Sequence, residues 1–430
     1  MKVTATEPST AIATAAIAAE PFIDPRSEGP IRAELFGVER LEALARRLAA
    51  ACALAPPARV SSPLLRRFEE DARALERAHH RIAADTERRG ARGTDAEWLA
   101  DNFHIVEDVL REVRQDLPGG YDAELPKLAN GPARGYPRVH ALALALVAHT
   151  DGEIDQGRLD RFVAAFQEQA PLTIGELWAL PTMLRLVLIE NLRRLADQML
   201  WDWDERRRAE VWSAHHAAPG HDEPLPPGPL TDPFVVRLIQ LLRDQGPRAA
   251  DVLAQLDARL AARGDDTNEV LRREHHRQSA NQVSIGNCMI SLRLLSALDW
   301  NRFFERHSAV ESILRDDPAK VYDRQDFATR DRYRRIVERI ARRGGADELD
   351  VARRAVALAR EALGRGEGIA PSHVGYYLID RGQASLKAAF GYRLSGREAL
   401  LEAVLSHPRT LYFGSIALVW AVLVVALAAV

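Results

Sequence analysis

Asp202-Trp203-Asp204 carries two carboxylates one residue apart, a spacing that can hold a divalent cation against a nucleotide-sugar diphosphate. That chemistry needs a loop at a strand end to turn both carboxylates the same way. Here the triplet runs on into Glu205-Arg206-Arg207-Arg208 with no strand before it, so a solvated helix face is the better reading. Paired histidines occur at His79-His80, His215-His216 and His275-His276. Neighbours on a helix point about 100° apart, so an adjacent pair chelates one metal poorly. Glu76 and His79 form one Glu-x-x-His, but a di-iron bundle needs a second and two further glutamates. The stretch "GRGEGIAP" at Gly364–Pro371 is glycine-rich without a phosphate-loop pattern and reads as a helix end. No catalytic, cofactor-binding or metal-ligating residue is assigned on these grounds.

The segment "QSANQVSIGNCMIS" is different. Ser279, Asn281, Gln282, Ser284, Asn287 and Ser291 thread polar side chains through a helix that also carries Val283, Ile285, Met289 and Leu292. Buried amides need partners, so these side chains are expected to bond to neighbouring helix ends or loops. The sharper alternative is a polar binding groove led by Asn281, Gln282 and Asn287. Cys288 within it is expected to be a buried small side chain.

What must position these residues is helical almost throughout. Leu99, Phe103, Val106, Leu110 and Val113 recur at steps of four and three, with Asp95 as a cap and Pro118 as the stop. Leu184, Leu188, Leu192, Leu195 and Met199 make one buried face of a long helix that Pro181 should kink or break near its start. A second long helix follows Asp266 or Thr267. Further helices are expected at 39–53, 326–341, 348–363 and 376–390. No alternating β-branched run suggests a sheet. The fold class expected is all-α, in two helical subdomains. Residues 1–60 form a largely disordered leader, 61–218 and 231–408 the subdomains, and 219–230 the Pro/Gly linker between them.

Composition narrows the function classes. Hydrophobic residues make up 47% of 430 and charged residues 28%, enough for cores under a polar surface. A formal charge of −3 lacks the basic excess of a nucleic-acid binder. Cys52 and Cys288 cannot form a disulfide framework, which fits a reducing compartment. The apolar run at 11–19 follows Glu7 and Pro8 and is mostly alanine, so it reads as leader rather than secretory signal. Leu411–Val430, with Trp420 inside it, holds no charge over twenty residues. As a helix it would extend about 30 Å, a hydrocarbon core's thickness, and is expected to be a transmembrane helix. Arg393, Arg397 and Arg409 precede it, which would keep the N-terminal part cytoplasmic at a bacterial inner membrane.

Several long strings carry a family resemblance. "EWLADNFHIVEDVLREVRQDLPGGYDAELPKLANGPARGYPRVHALALALVAHTDGEID", "PLTIGELWALPTMLRLVLIENLRRLA", "SLRLLSALDWNRFFE", "DFATRDRYRRIVERIA" and "GYYLIDRG" resemble, in order, the N-terminal region of bacterial cyclic β-1,2-glucan synthases. The resemblance runs from about Phe68 to the apolar end. It implies the front part of a large inner-membrane glucosyltransferase that polymerises glucose from UDP-glucose and closes the chain into a ring. It also implies that the catalytic carboxylates, a Gln-x-x-Arg-Trp acceptor motif and a phosphorylase-like region lie beyond Val430, so no catalytic residue is carried over. The expected role is then non-catalytic, supporting or docking the transferase domain. UDP-glucose and a divalent cation would be needed only downstream. Partners would be the downstream transferase and phosphorylase-like domains, the lipid bilayer and a nascent glucan, with no nucleic acid. The alternative is a free-standing, tail-anchored helical scaffold at the inner membrane.

Overall fold

The computed structural model describes residues 21–56, 63–89, 94–117, 121–217, 224–243 and 249–394, with a few single positions after these. Contacts divide the chain into two units, Met1–His307 and Ser308–Val430. In the first, the described helices are α1 (Val38–Ala51), α2 (Leu64–Arg89), α3 (Thr94–Asp101), α4 (Phe103–Asp116), α5 (Tyr121–Glu124), α6 (Arg138–His149), α7 (Gln156–Gln167), α8 (Ile174–His216), α9 (Asp232–Arg243), α10 (Ala249–Ala261), α11 (Thr267–Ala297) and α12 (Trp300–His307). In the second they are α13 (Ala309–Leu314), α14 (Phe327–Gly344), α15 (Glu348–Gly364), α16 (Val374–Ile379) and α17 (Gln383–Ala389).

Helix α8 organises the first unit. Thr173 caps it reciprocally: its Oγ1 accepts from Glu176 N at 3.2 Å, and Glu176 Oε2 accepts from Thr173 N at 3.0 Å. From Ile174 to Met199 nearly every α8 side chain is buried, because α2, α4, α6 and α11 all pack against it. Helix α6 is mostly apolar on every side and is buried from Arg138 to Ala148, as an all-round hydrophobic helix must be. Its one cation, Arg138, is matched by buried Glu176, with Nε–Oε1 at 2.8 Å. Further along, Ala209 and Trp212 of α8 join Phe234, Leu256 and Val270 in a second apolar cluster.

The second unit is built on α15, whose Ala352, Ala355, Ala359 and Ala362 allow close approach by α13, α14 and α16. Two buried carboxylates tie its loops together. Glu311 accepts from Tyr322 Oη at 2.7 Å and Arg334 Nη1 at 2.6 Å. Asp317 accepts from the backbone N–H groups of Val321 and Val374, with His373 Nδ1 at 2.8 Å. Burial opposes its charge, but these hydrogen bonds outweigh it and hold the Asp317 carboxyl below the usual range.

The all-α class holds: among the described residues the extended pairings are two isolated bridges, Leu54 with Leu128 and Lys127 with Pro137. The expected transmembrane helix is corrected. No helix among the described residues is long and apolar enough to cross a membrane, and most of Leu411–Val430, Val430 included, lies outside those residues. The apolar run at 11–19 and Pro118 also lie outside what is described, and Asp95, expected as the cap, is instead the second residue of α3. Contacts place the division into units after His307, and α9 packs on α8. Two expected helices are each two. Asn102 separates α3 from α4, and Asp380–Gly382 separates α16 from α17. Pro181 does not end α8, which runs on through it.

Candidate functional site

The polar thread of α11 faces the turn between α6 and α7. Asn281 Oδ1 accepts from Arg32 Nη1 at 2.9 Å, and Asn287 Nδ2 donates to the Asp151 carbonyl at 3.2 Å. Ser291 Oγ donates to Gly152 O at 2.7 Å and accepts from Ile154 N at 2.8 Å. Ser284 donates to the Asp151 carboxylate, which also receives Arg32 Nε at 3.0 Å. Gly152 holds φ +77°, and a Cβ there would lie 2.8 Å from Cys288 Sγ. The thread therefore clasps a loop and the N-terminal segment onto α11. Asn281 and Asn287 meet in this clasp, whereas Gln282 is exposed on the opposite side. Cys288 is fully buried, and burial pushes its thiol up to about 12.

The carboxylates of Asp202 and Asp204 do not converge. Asp202 is buried against Arg277 of α11, with Nη2–Oδ1 at 2.8 Å, and also accepts from Gln198 at 3.0 Å. Asp204 is exposed and pairs with Arg81 of α2. Burial pushes the Asp202 carboxyl upward, with Arg277 opposing it. Residues that serve different helices do not fit a shared cation. Of the histidines, His79 stacks on Phe103 at 4.0 Å and His216 on Trp212 at 4.9 Å.

A cleft lies elsewhere in the first unit, where α2 faces α8. Arg67, Glu70, Asp71 and Ala74 follow an i, i+3, i+4, i+7 spacing on α2; Arg193, Arg194, Asp197, Gln198 and Trp201 share a face of α8. The segment Arg26–Pro30 makes the third wall. It is stapled to α8 by Arg194 Nη1 to Gly29 O at 2.8 Å and by Ile31 N to Asn191 Oδ1 at 2.7 Å. The cavity has a volume of about 670 Å³.

Its charges are laced together. Arg193 bonds Asp71 through Nε at 2.9 Å and Asp197 through Nη1 at 2.8 Å. Below them Glu190 takes Arg194 Nη2 at 2.6 Å and also pairs with Arg67, which donates to Tyr136 Oη at 3.0 Å. Burial, reinforced by Glu190, pushes the Asp71 carboxyl up to about 6 against the pull of Arg193. At the rim Trp201 is 43% exposed. Sequence reading passed over this site. Its signal was the alternation of arginine and carboxylate at helical spacing in "RRFEEDARA" and "NLRRLADQ", which looks like an ordinary solvated face until the two helices are paired.

No protein-family model matches the chain. The cyclic β-(1,2)-glucan synthase NdvB of Rhizobium meliloti (strain 1021) is 33% identical over 393 residues, 87% of this chain. The chain is related to the cyclic β-(1,2)-glucan synthases. It spans only 14% of that relative's length. The similarity therefore joins this helical part, with its clasp and its cleft, to a portion of a much longer glucan synthase.

Proposed function

We propose that the chain is the N-terminal helical module of a cyclic β-(1,2)-glucan synthase, a non-catalytic part that supports or docks the transferase domain. The observation that carries this reading is the extent of the match, most of this chain against a small share of the glucan synthase relative. The geometry agrees with it. Buried carboxylates of the chain are engaged in internal pairing: Glu176 with Arg138, Glu311 with Arg334, Asp202 with Arg277. A module so braced is suited to hold a shape against neighbouring domains of the same protein. UDP-glucose and a divalent cation belong, on this reading, to the other domains.

The test is paired. The purified chain, given UDP-glucose with Mn²⁺ or Mg²⁺, is expected to incorporate no glucose into polymer. A longer synthase carrying this module is expected to lose polymerisation when the module is excised. Polymer formed by the isolated chain would refute the non-catalytic role, and full activity after excision would refute the supporting one.

A further inference from the structure

The geometry points to the cleft between α2 and α8 as a binding site for a neutral carbohydrate chain. Charge balance decides against an anion. The lining contributes four arginines, Arg26, Arg67, Arg193 and Arg194, and four carboxylates, Glu28, Glu70, Asp71 and Asp197. The inner arginines already hold carboxylates, so a phosphate or nucleotide would have to displace them and meet their negative charge. A wholly apolar ligand is disfavoured too, because it would strip water from paired charges without returning hydrogen bonds.

Sugar hydroxyls suit such a surface. Each can donate to a carboxylate and accept from a guanidinium, and a carboxylate has about four lone-pair sites, more than its arginine partner uses. The laced Arg193, Asp71 and Asp197 offer donors and acceptors alternating along α8. Trp201 at the rim supplies what the rest of the cleft lacks, a broad aromatic face whose negative quadrupole attracts polarised C–H groups of a sugar ring. A volume of about 670 Å³ is ample for several sugar rings. The frame is stiff: both helices are anchored in the core, and Arg194 ties down the third wall. A site already shaped loses little entropy on binding.

The choice of probe, though not the ligand class, rests on the proposed link to glucan synthesis. The experiment is calorimetric titration of the full chain with linear β-(1,2)-linked gluco-oligosaccharides, with α-(1,4)-linked gluco-oligosaccharides and UDP-glucose alongside. Saturable binding of the β-(1,2) series is expected, weakened at least about tenfold by Trp201→Ala and partly restored by Trp201→Phe. Trp201 is a rim residue, so both variants should melt with the parent. Trp201-dependent binding of the α-(1,4) series alone would support the carbohydrate cleft while counting against the glucan-synthase role. Binding of UDP-glucose but no oligosaccharide would make it an anion site and overturn the proposal. So would oligosaccharide binding indifferent to Trp201→Ala, or none at all.

Discussion

Asp71 faces α8 from the floor of the cleft, and its carboxyl is a sensitive reporter of that site. An aspartate in the unfolded chain titrates near about 4, whereas burial and Glu190 push Asp71 up to about 6 in the folded protein. The folded state thus holds the proton more tightly. The contribution of Asp71 to stability is fully present below the unfolded value and is lost as pH rises through about 6. Carboxyl-carbon NMR should find its midpoint near about 6, and Glu190→Gln should lower it by removing the second cause. A midpoint in the ordinary aspartate range in the parent protein would mean the carboxyl is not buried as described. At this scale the sequence showed residue types but not pairings. That Asp202 and Asp204 diverge follows from two steps of a helix. That Asp202 meets Arg277, or that Asp71 meets Arg193 from 122 positions away, depends on helix packing that no local pattern encodes.

At the scale of the element, the start of α8 joins two effects of different size in one place. The Thr173 hydroxyl caps the helix from a partly buried position; Thr173→Ala should cost about 1 kcal/mol. Glu176 also completes the cap, but it neutralises Arg138 where both side chains are almost wholly buried. Glu176→Gln leaves that guanidinium without its counter-charge and should cost about 3–5 kcal/mol. Replacing both, as in Arg138→Met with Glu176→Leu, should recover most of the loss, since an apolar pair needs no desolvation of ions. Denaturant unfolding of the three variants checks the order; equal costs for Thr173→Ala and Glu176→Gln would show that the ion pair adds nothing beyond the cap. Helices were largely readable in advance because their signals are local. The 3.6-residue stripe of Leu184 to Met199 and the cap Asp266, which accepts from Glu269 N at 2.8 Å, are where the pattern puts them. Breaks were not. Nothing between Asp101 and Phe103 interrupts the apolar period, yet Asn102 leaves helical geometry with φ −104° and ψ 10°, while all five stripe residues stay buried. Pro181 errs the other way: its lost hydrogen bond is tolerated because neighbouring helices enclose that turn.

At the scale of the whole molecule, the two places where the chain could be divided make opposite predictions. A cut at the Pro/Gly stretch would separate Ala209 and Trp212 of α8 from Phe234, Val235 and Leu238 of α9, which share one apolar cluster. A chain ending at residue 217 should therefore expose the far half of α8, bind a hydrophobic dye and melt early. A chain ending at His307 keeps that cluster. It also keeps the close of α12, where His307 Nε2 lies 2.8 Å from Asp160 Oδ1 and Gln167 Nε2 donates to the His307 carbonyl at 2.9 Å. It removes a unit whose braces, Glu311 with Arg334 and Asp317 with His373, are internal to itself. Its unfolding midpoint should stay within about 2 °C of the parent, the shift that roughly 1 kcal/mol produces in a unit of this size. Because every residue of the cleft lies before His307, sugar binding should survive that truncation unchanged. Loss of helical circular dichroism in the His307 chain, with the 217 chain intact, would place the boundary at the proline-rich stretch after all and would make α8 and α9 partners of convenience rather than one core.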